Sequence, residues 1–282
     1  MKYCQITPSA AVGRFVSCYW TLEDDCPSPS NVQRIVPDGC PELILNFGTP
    51  FDSQRDSQWT AQPEYFFAGQ ITGPMLVRPR GPAKMIGVRF RPHGITRLLG
   101  LPAHLLTGLV VPLADVSRDL YNQLECLREL DSTAQQLMVV DRVLQSFGER
   151  DNAADCQIAV AVNSIMQADT VPAVSNVAAV VGLSLRQFQR RFKDEVGIAP
   201  KLFCRIQRFQ RVFQALDSSA SSWVNAALRC GYYDQAHLIR DFRDFSGEPP
   251  VALLAAESDL AAHFLQHQTM SRFSKTVAVG SM

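Results

Sequence analysis

Several signatures are missing from this sequence. It has no C-x-x-C pair, no Gly-x-Gly or P-loop motif, and no apolar run of membrane-spanning length. Without the glycine-rich motifs there is no backbone cradle for a nucleotide phosphate of the common kinds. The eight cysteines are scattered from Cys4 to Cys230. That scatter fits a reduced chain in which most thiols fill the core. The opening stretch MKYCQITPSAAVGRFVSCYW lacks the apolar core of a secretory signal, so the expectation is a cytoplasmic protein without a membrane partner. An excess of one charge is missing too. Lys and Arg number 27 and Asp and Glu number 27, so net charge says nothing about partners. No His-x-His pair with a downstream Glu occurs, and His93 and His104 are eleven residues apart. His263 and His267 lack a thiol or carboxylate partner. The expectation is no metal and no cofactor.

What is present divides the chain. Residues 1–111 hold short segments rich in β-branched and aromatic residues: RFVSCYW, ELILNF, EYFFAG, MLVRP and MIGVRF. Proline and glycine turns separate them and prevent long helices. They predict a β-rich sandwich or barrel. Residues 112–147 change texture. PLADVSRDLYNQLECLREL and DSTAQQLMVVDRVLQSF carry leucines and valines at helical spacing and predict a helical pair, a candidate dimer contact. A polar linker spans 148–156, short helices fill 157–256, and a weakly patterned tail covers 257–282.

Charge is unevenly distributed. Residues 186–211 hold eight basic and two acidic side chains, enough for a local positive field. Within the same part, RRFKDEVGIAP (190–200) is echoed by RDFRDFSGEPP (240–250). The first copy reads as two helices about a glycine. Val177, Val180 and Val181 form an apolar face, Gly182 ends it, and Ser184 caps the next helix. Leu185, Phe188, Phe192 and Val196 point inward. Arg186, Gln189, Arg190 and Lys193 share the outer face, side chains suited to guanine, adenine and phosphate. In the second copy Gly231 is the break and Asp234 the cap. Leu238, Ile239, Phe242 and Phe245 face in, while Gln235, His237, Arg240 and Arg243 face out. One extra turn residue leaves Gly182 and Gly231 49 apart while the helix bodies are 50 apart. Between the copies, PKLFCRIQRFQRVFQAL forms one helix of about 25 Å at about 1.5 Å per residue. Phe203, Ile206, Phe209, Phe213 and Leu216 form its buried stripe. Arg205, Arg208 and Arg211 touch phosphate or only solubilise that helix. Such a rod holds two recognition helices about one DNA turn, roughly 34 Å, apart.

The run VAAVVGLSLRQFQRRFKDEVGIAPKLFCRIQRFQRV followed by AALRCGYYDQAHLIRDFRDFSGEPP resembles the AraC/XylS class of bacterial transcription regulators over about 100 residues. The resemblance implies base contacts from Arg186, Gln189 and Arg190, a backbone contact from Lys193, and a second set at Gln235, Ala236, His237 and Arg240. Ala236 is small where a polar reader often sits. Asp241 adds a negative charge to that helix, which predicts a weaker second grip. VPDGCPELILNFG (36–48) and GVRFRPHGITRLLGLPAHLL (87–106) resemble the effector or oligomerisation region of a subgroup of these regulators, which implies a β-rich sensor.

The fold class read from the sequence is α+β multidomain: an N-terminal β-rich sandwich or barrel with a helical segment, then an all-α domain of two helix-turn-helix units joined by a long helix. The function expected is a DNA-binding regulator or activator, not an enzyme. Its expected partners are double-stranded DNA in the major groove, an unknown small-molecule effector, a second copy of the chain and RNA polymerase. Two alternatives stand beside it: an enzyme or DNA-repair protein with an appended DNA-binding module, and an effector-independent dimer. Cys40 in PDGC suggests a methyl acceptor but lacks nearby cysteines. Asp38 and Glu42 fit an acid and base, a turn, or a ligand pocket.

Overall fold

The computed structural model describes residues 1–27, 32–55, 57–148, 156–168, 170–217 and 227–249. The inner linker (149–155), the tail 257–282 with His263 and His267, and the start of the second unit (223–226) lie outside the described residues.

The first domain is built on two antiparallel sheets. Its strands are β1 (Lys2–Ile6), β2 (Val16–Asp24), β3 (Gln33–Ile35), β4 (Glu42–Asn46), β5 (Asp52–Arg55), β6 (Gln58–Ala61), β7 (Tyr65–Ala68), β8 (Met75–Arg78), β9 (Ala83–Phe90) and β10 (Val110–Pro112). The larger sheet runs β1-β2-β9-β4-β7-β10 and the smaller β3-β8-β5-β6. Alternate residues of a strand face opposite sides, and both faces of the larger sheet are covered. On one side Tyr19, Leu43, Leu45, Tyr65, Phe67, Ile86 and Val88 pack against helices. On the other, Trp20, Leu22, Ile44, Phe66 and Met85 face the smaller sheet. This double burial is why residues 43–45 and Tyr65–Ala68 are apolar at every position. The polar strands β1, β3, β5 and β6, and the short β10, carry no such run and are not evident from sequence. A short helix, α1 (Gly94–Leu99), also lies in the part expected to hold only strands and turns.

The expected helical pair is more broken than its leucine spacing suggests. It comprises α2 (Leu113–Val116), α3 (Arg118–Leu124), a 3-10 turn (Glu125–Glu129) and α4 (Thr133–Gly148). Ser117 adopts an extended backbone between α2 and α3, where its side chain accepts from Leu120 N–H. Leu113, Leu120, Leu124, Leu127, Val140, Leu144 and Phe147 are buried in the same core as the sheet. The segment is therefore part of the first domain's core and not a free-standing pair. Tyr19 fastens α4 to the sheet by donating to Asp141 Oδ1 at 2.8 Å.

The second domain contains α5 (Gln157–Gln167), α6 (Val174–Val180), α7 (Leu185–Val196), α8 (Pro200–Asp217), a helical turn at 227–229 and α9 (Gln235–Ser246). Its core is continuous from Ile158 to Phe245. Among the eight cysteines, Cys18, Cys204 and Cys230 are buried and Cys4, Cys26, Cys126 and Cys156 are exposed, so core filling accounts for fewer of them than expected. Among the described residues no helix is long and apolar enough to cross a membrane.

Among the described residues, polar contacts join the two domains at the end of α7, along α8 and at β3. Thr96 and Thr107 donate to the carbonyls of Glu195 (3.1 Å) and Gly197 (2.8 Å) at the end of α7. On α8, Gln207 and Gln210 donate to the carbonyls of Asp38 (2.9 Å) and Pro37 (2.5 Å). Arg34 on β3 donates to the Ser246 carbonyl and pairs with Glu248 at 3.5 Å. These contacts require close approach at Gly39, whose φ is +87°. A Cβ there would lie 2.7 Å from the Phe203 ring and 2.8 Å from Gln207 Nε2.

Gly39→Ala is expected to remove more stability than the backbone strain of about 1–2 kcal/mol alone. Gly108→Ala is the control, since it has φ +72° and nothing within 4 Å of its Cβ. Urea unfolding would compare the two, and equal losses would show that Gly39 does not limit docking.

Candidate functional site

The outer face of the second domain is formed twice by the same local chemistry. In the first unit, Ser184 and Gln187 make a reciprocal capping box at the start of α7. Gly197 ends the helix in the left-handed conformation. In the second, Asp234 accepts from His237 N–H at 2.7 Å and Gly247 ends α9 in the same way. Each helix turns its aromatics inward. Phe188 and Phe192 are fully buried in α7, and Phe242 and Phe245 in α9. Helix α8 joins the two cores: Phe203 meets Phe192 at 5.5 Å, and Phe209 meets Phe242 at 4.9 Å. The remaining stripe residues, Phe213 and Leu216, lie outside the described side chains.

On α7, Arg186, Gln189, Arg190 and Lys193 are all exposed, on the side opposite Phe188 and Phe192. On α9, Gln235, Ala236, Arg240 and Arg243 are exposed. His237 is not fully outward. It is half-buried against the Tyr232 ring at 5.0 Å, with Nε2 3.5 Å from Arg208. Two expected inward residues point out: Val180 is 70% exposed and Leu185 46%. Both sit at helix ends, where the neighbouring turn offers nothing to cover them.

Several charges in this region serve the fold. Arg211 is buried and donates to the Ile165 carbonyl at 2.6 Å. Arg205 donates to Asp241 Oδ1 at 2.6 Å and to Asp244 Oδ2 at 2.6 Å. Asp241 is almost wholly buried and also accepts from the Tyr232 hydroxyl at 3.2 Å. Burial, then the Asp241 carboxylate, pushes the Tyr232 hydroxyl well above its ordinary range and keeps it a donor. The expectation that Asp241 adds a negative charge near the DNA does not hold, since the structure places its side chain in the core instead. Its charge points inward and is matched by Arg205. The i, i+3 spacing of Arg240 and Arg243 marks the outer face, but nothing local reveals that Asp241 lies on the other.

A second site lies in the first domain. A half-open cavity of about 120 Å³ lies between the two sheets and the segments that join them. Trp20, Leu22, Ile44, Phe51, Phe66 and Met85 supply apolar walls, with Asp38, Cys40, Glu42, Arg34 and Arg89 at the polar end. Arg89 lies between two carboxylates, bonding Asp38 through Nη2 and Glu42 through Nη1 at 2.8 Å. The Trp20 indole N–H reaches Glu42 Oε1 at 3.4 Å. Burial pushes the Glu42 carboxyl up to about 7, opposed by the Trp20 hydrogen bond. Burial pushes the Cys40 thiol up to about 12, with Glu42 adding to the effect, so Cys40 is an inert thiol at neutral pH. Asp38 also makes the expected turn, its Oδ1 accepting from Cys40 N–H at 2.8 Å. His93 is buried away from the cavity lining, and burial, then Arg91 and Arg97, lowers it to about 4. His104 lies 3.3 Å from Asp194 of α7. Sequence reasoning missed Gln207 and Gln210. Two amides three apart on the apolar side of a helix were the available signal.

Asp241→Asn is expected to destabilise the second domain by about 1.5–3 kcal/mol, since it weakens charged hydrogen bonds to Arg205 while Tyr232 must find a new geometry. Chemical denaturation would measure this. A loss of DNA affinity with unchanged stability would instead put Asp241 at the outer face.

Residues 177–256 match the family described as a helix-turn-helix domain. Residues 4–112 match a domain of unknown function (DUF6597). No curated protein matches the chain. Among solved structures, ToxT from Vibrio cholerae is 7% identical and has a TM-score of 0.45, with 84% of this chain and 97% of that one covered. A structure of ToxT with bound unsaturated fatty acid is 9% identical with a TM-score of 0.42, covering 83% and 94%. The AraC-like transcriptional activator CuxR is 14% identical with a TM-score of 0.24, covering 72% and 73%. At these values neither a ligand nor a contact residue transfers to this chain. The C-terminal part of the chain therefore carries a helix-turn-helix domain, behind a β-rich domain that matches a domain of unknown function.

Proposed function

We propose that this chain is a sequence-specific DNA-binding transcription regulator whose β-rich domain takes a small-molecule effector. The observation that carries the DNA reading is the exposed row Arg186, Gln189, Arg190 and Lys193 on a helix capped at both ends and backed by buried phenylalanines. A row this rigid presents arginine and glutamine to base edges at little entropic cost. Arg186 and Arg190 read bases, Gln189 assists, and Lys193 sets register through phosphate. In the second unit Gln235, Arg240 and Arg243 supply polar contacts and Ala236 an apolar one suited to a thymine methyl. His237, held against Tyr232, is a lesser contributor.

The effector reading rests on the cavity and on what borders it. Arg34 and Asp38 line the cavity, and the same two residues contact the second domain through Ser246, Glu248 and Gln207. A ligand that moved either would change how the two helix-turn-helix units are held. The expected direction of control is a population shift between two domain arrangements, limited by the ligand's differential affinity for them.

Selection from random DNA with the full chain is expected to return two motifs about one helical turn, roughly 34 Å, apart. Arg186→Ala and Arg190→Ala should each relax one position at a cost of about 1–3 kcal/mol. Lys193→Ala should weaken all sequences alike and lower the salt slope by about 1. Sequence-blind binding by the full chain would sink this reading.

A further inference from the structure

The two helix-turn-helix units share one backbone pattern up to a single residue. Gly182 and Gly231 follow the first helical segment of their units with positive φ, +68° and +82°. Each glycine N–H bonds to the carbonyl three residues back, at 3.1 Å in both units. Next in the chain, Leu183 N–H bonds to the Ala178 carbonyl and Tyr232 N–H to the Ala227 carbonyl, each at 3.0 Å. Leu183 packs against the core and Tyr232 is buried in it, so these two positions are equivalent. The caps Ser184 and Asp234 are equivalent as well. Tyr233, between Tyr232 and Asp234, has no counterpart in the first unit. It is the extra turn residue.

Tyr233 adds nothing to the core. It is 91% exposed, more than any other large apolar side chain among the described residues. Its neighbour Tyr232 does the packing and donates to Asp241. A ring left in water gains no burial energy from folding. What α9 presents beside it narrows the partner. Counting from the caps, the places of Arg186 and Gln189 on α7 are taken on α9 by Ala236 and Ile239. Ala236 is short and Ile239 is half-buried, so α9 lacks two of the polar side chains that α7 offers. Arg240 and Arg243 remain, in the places of Arg190 and Lys193. The acids of this helix are committed elsewhere: Asp234 accepts from His237 N–H, Asp241 is buried, and Asp244 pairs with Arg205. The face therefore suits a polyanion. In a helix-turn-helix the second helix lies in the major groove and the first crosses the DNA backbone. A residue in the turn between them lies at the rim of the groove, beside phosphate. Tyrosine hydroxyls that bond phosphate fix orientation without reading sequence.

We propose that Tyr233 is a DNA contact of the second unit, its hydroxyl donating to a backbone phosphate at the rim of the groove that α9 enters. The inference rests on the DNA-binding reading above and adds a contact outside the outer rows of α7 and α9.

The test uses the full chain and a duplex recovered by its selection from random DNA. Tyr233→Phe removes only the hydroxyl and should weaken binding about fivefold to tenfold, the scale of one hydrogen bond to a charged acceptor. Tyr233→Ala should weaken it at least as much. Both variants should keep the wild-type sequence preference. Both should also keep its salt slope, because a neutral hydroxyl displaces no counter-ion, and this separates them from Lys193→Ala. Duplexes with one uncharged methylphosphonate linkage, moved along the site, should contain one position that costs the wild-type chain about fivefold to tenfold and Tyr233→Phe far less. Urea unfolding should be the same for all three chains, since neither variant touches the core. Unchanged affinity in both variants, with Arg186→Ala still weakening the same duplex, would overturn the inference and leave the DNA reading standing. A loss in Tyr233→Ala with none in Tyr233→Phe would put the ring and not the hydroxyl on the DNA, and the phosphate contact would fall. A shifted base preference would make Tyr233 a base reader, and a lowered unfolding midpoint would make it structural; either overturns the inference. If the full chain selects no sequence, the DNA reading falls and this contact with it.

Discussion

Asp38 is held from two directions, and the contact between the first domain and α8 runs through it. Its carboxylate faces into the β-rich domain and pairs with Arg89, while its backbone carbonyl faces out and accepts from Gln207 on α8. The turn that places it contains Gly39, which tolerates both a left-handed backbone and contact with the Phe203 ring. One short segment thus joins the polar end of the cavity to the helix that links the two DNA-binding units. Under the proposed effector control, this segment is the route from the cavity to α8.

Helix α8 gives that route its reach. It places Phe203 in the first unit's core and Phe209 in the second's, so the two units share one rigid element. Arg205, with Asp241 and Asp244, and Arg211, with the Ile165 carbonyl, fasten it to its neighbours. Much of the basic charge that looks like a phosphate-binding stripe is consumed in this way. The exposed positive surface is concentrated on the outer rows of α7 and α9, a narrower footprint than the count of arginines implies. The first domain grips the C-terminal end of α7 through Thr96 and Thr107 and leaves its outer row exposed.

The doubled unit was legible residue by residue because its determinants are local. A cap acts on a backbone group two or three positions away, a left-handed glycine ends the helix it follows, and apolar spacing of three and four selects one face. Ser184, Asp234, Gly197 and Gly247 all behave as those rules require. The rules failed at the ends, where Val180 and Leu185 have the right spacing but no neighbour to cover them. They failed again between 112 and 147, where leucine periodicity passed smoothly over a break at Ser117. The short polar strands had no signal at all, because their pairing is set by partners and not by their own composition.

The sequence by itself determined which apolar segments become the central strands, where the second helix of each unit starts and stops, and the exposed row Arg186, Gln189, Arg190 and Lys193. Tertiary structure decided the rest. Arg89 meets Asp38 across 51 positions, Gln207 meets the Asp38 carbonyl across 169, and Arg205 meets Asp241 across 36. Each of these pairings turns a charged or polar residue that local rules treat as surface into a buried contact. The physical reason is range. Capping and periodicity act within a turn or two of helix, whereas a buried ion pair, a cavity and a docking contact exist only once distant segments have been brought together and water has been removed from between them.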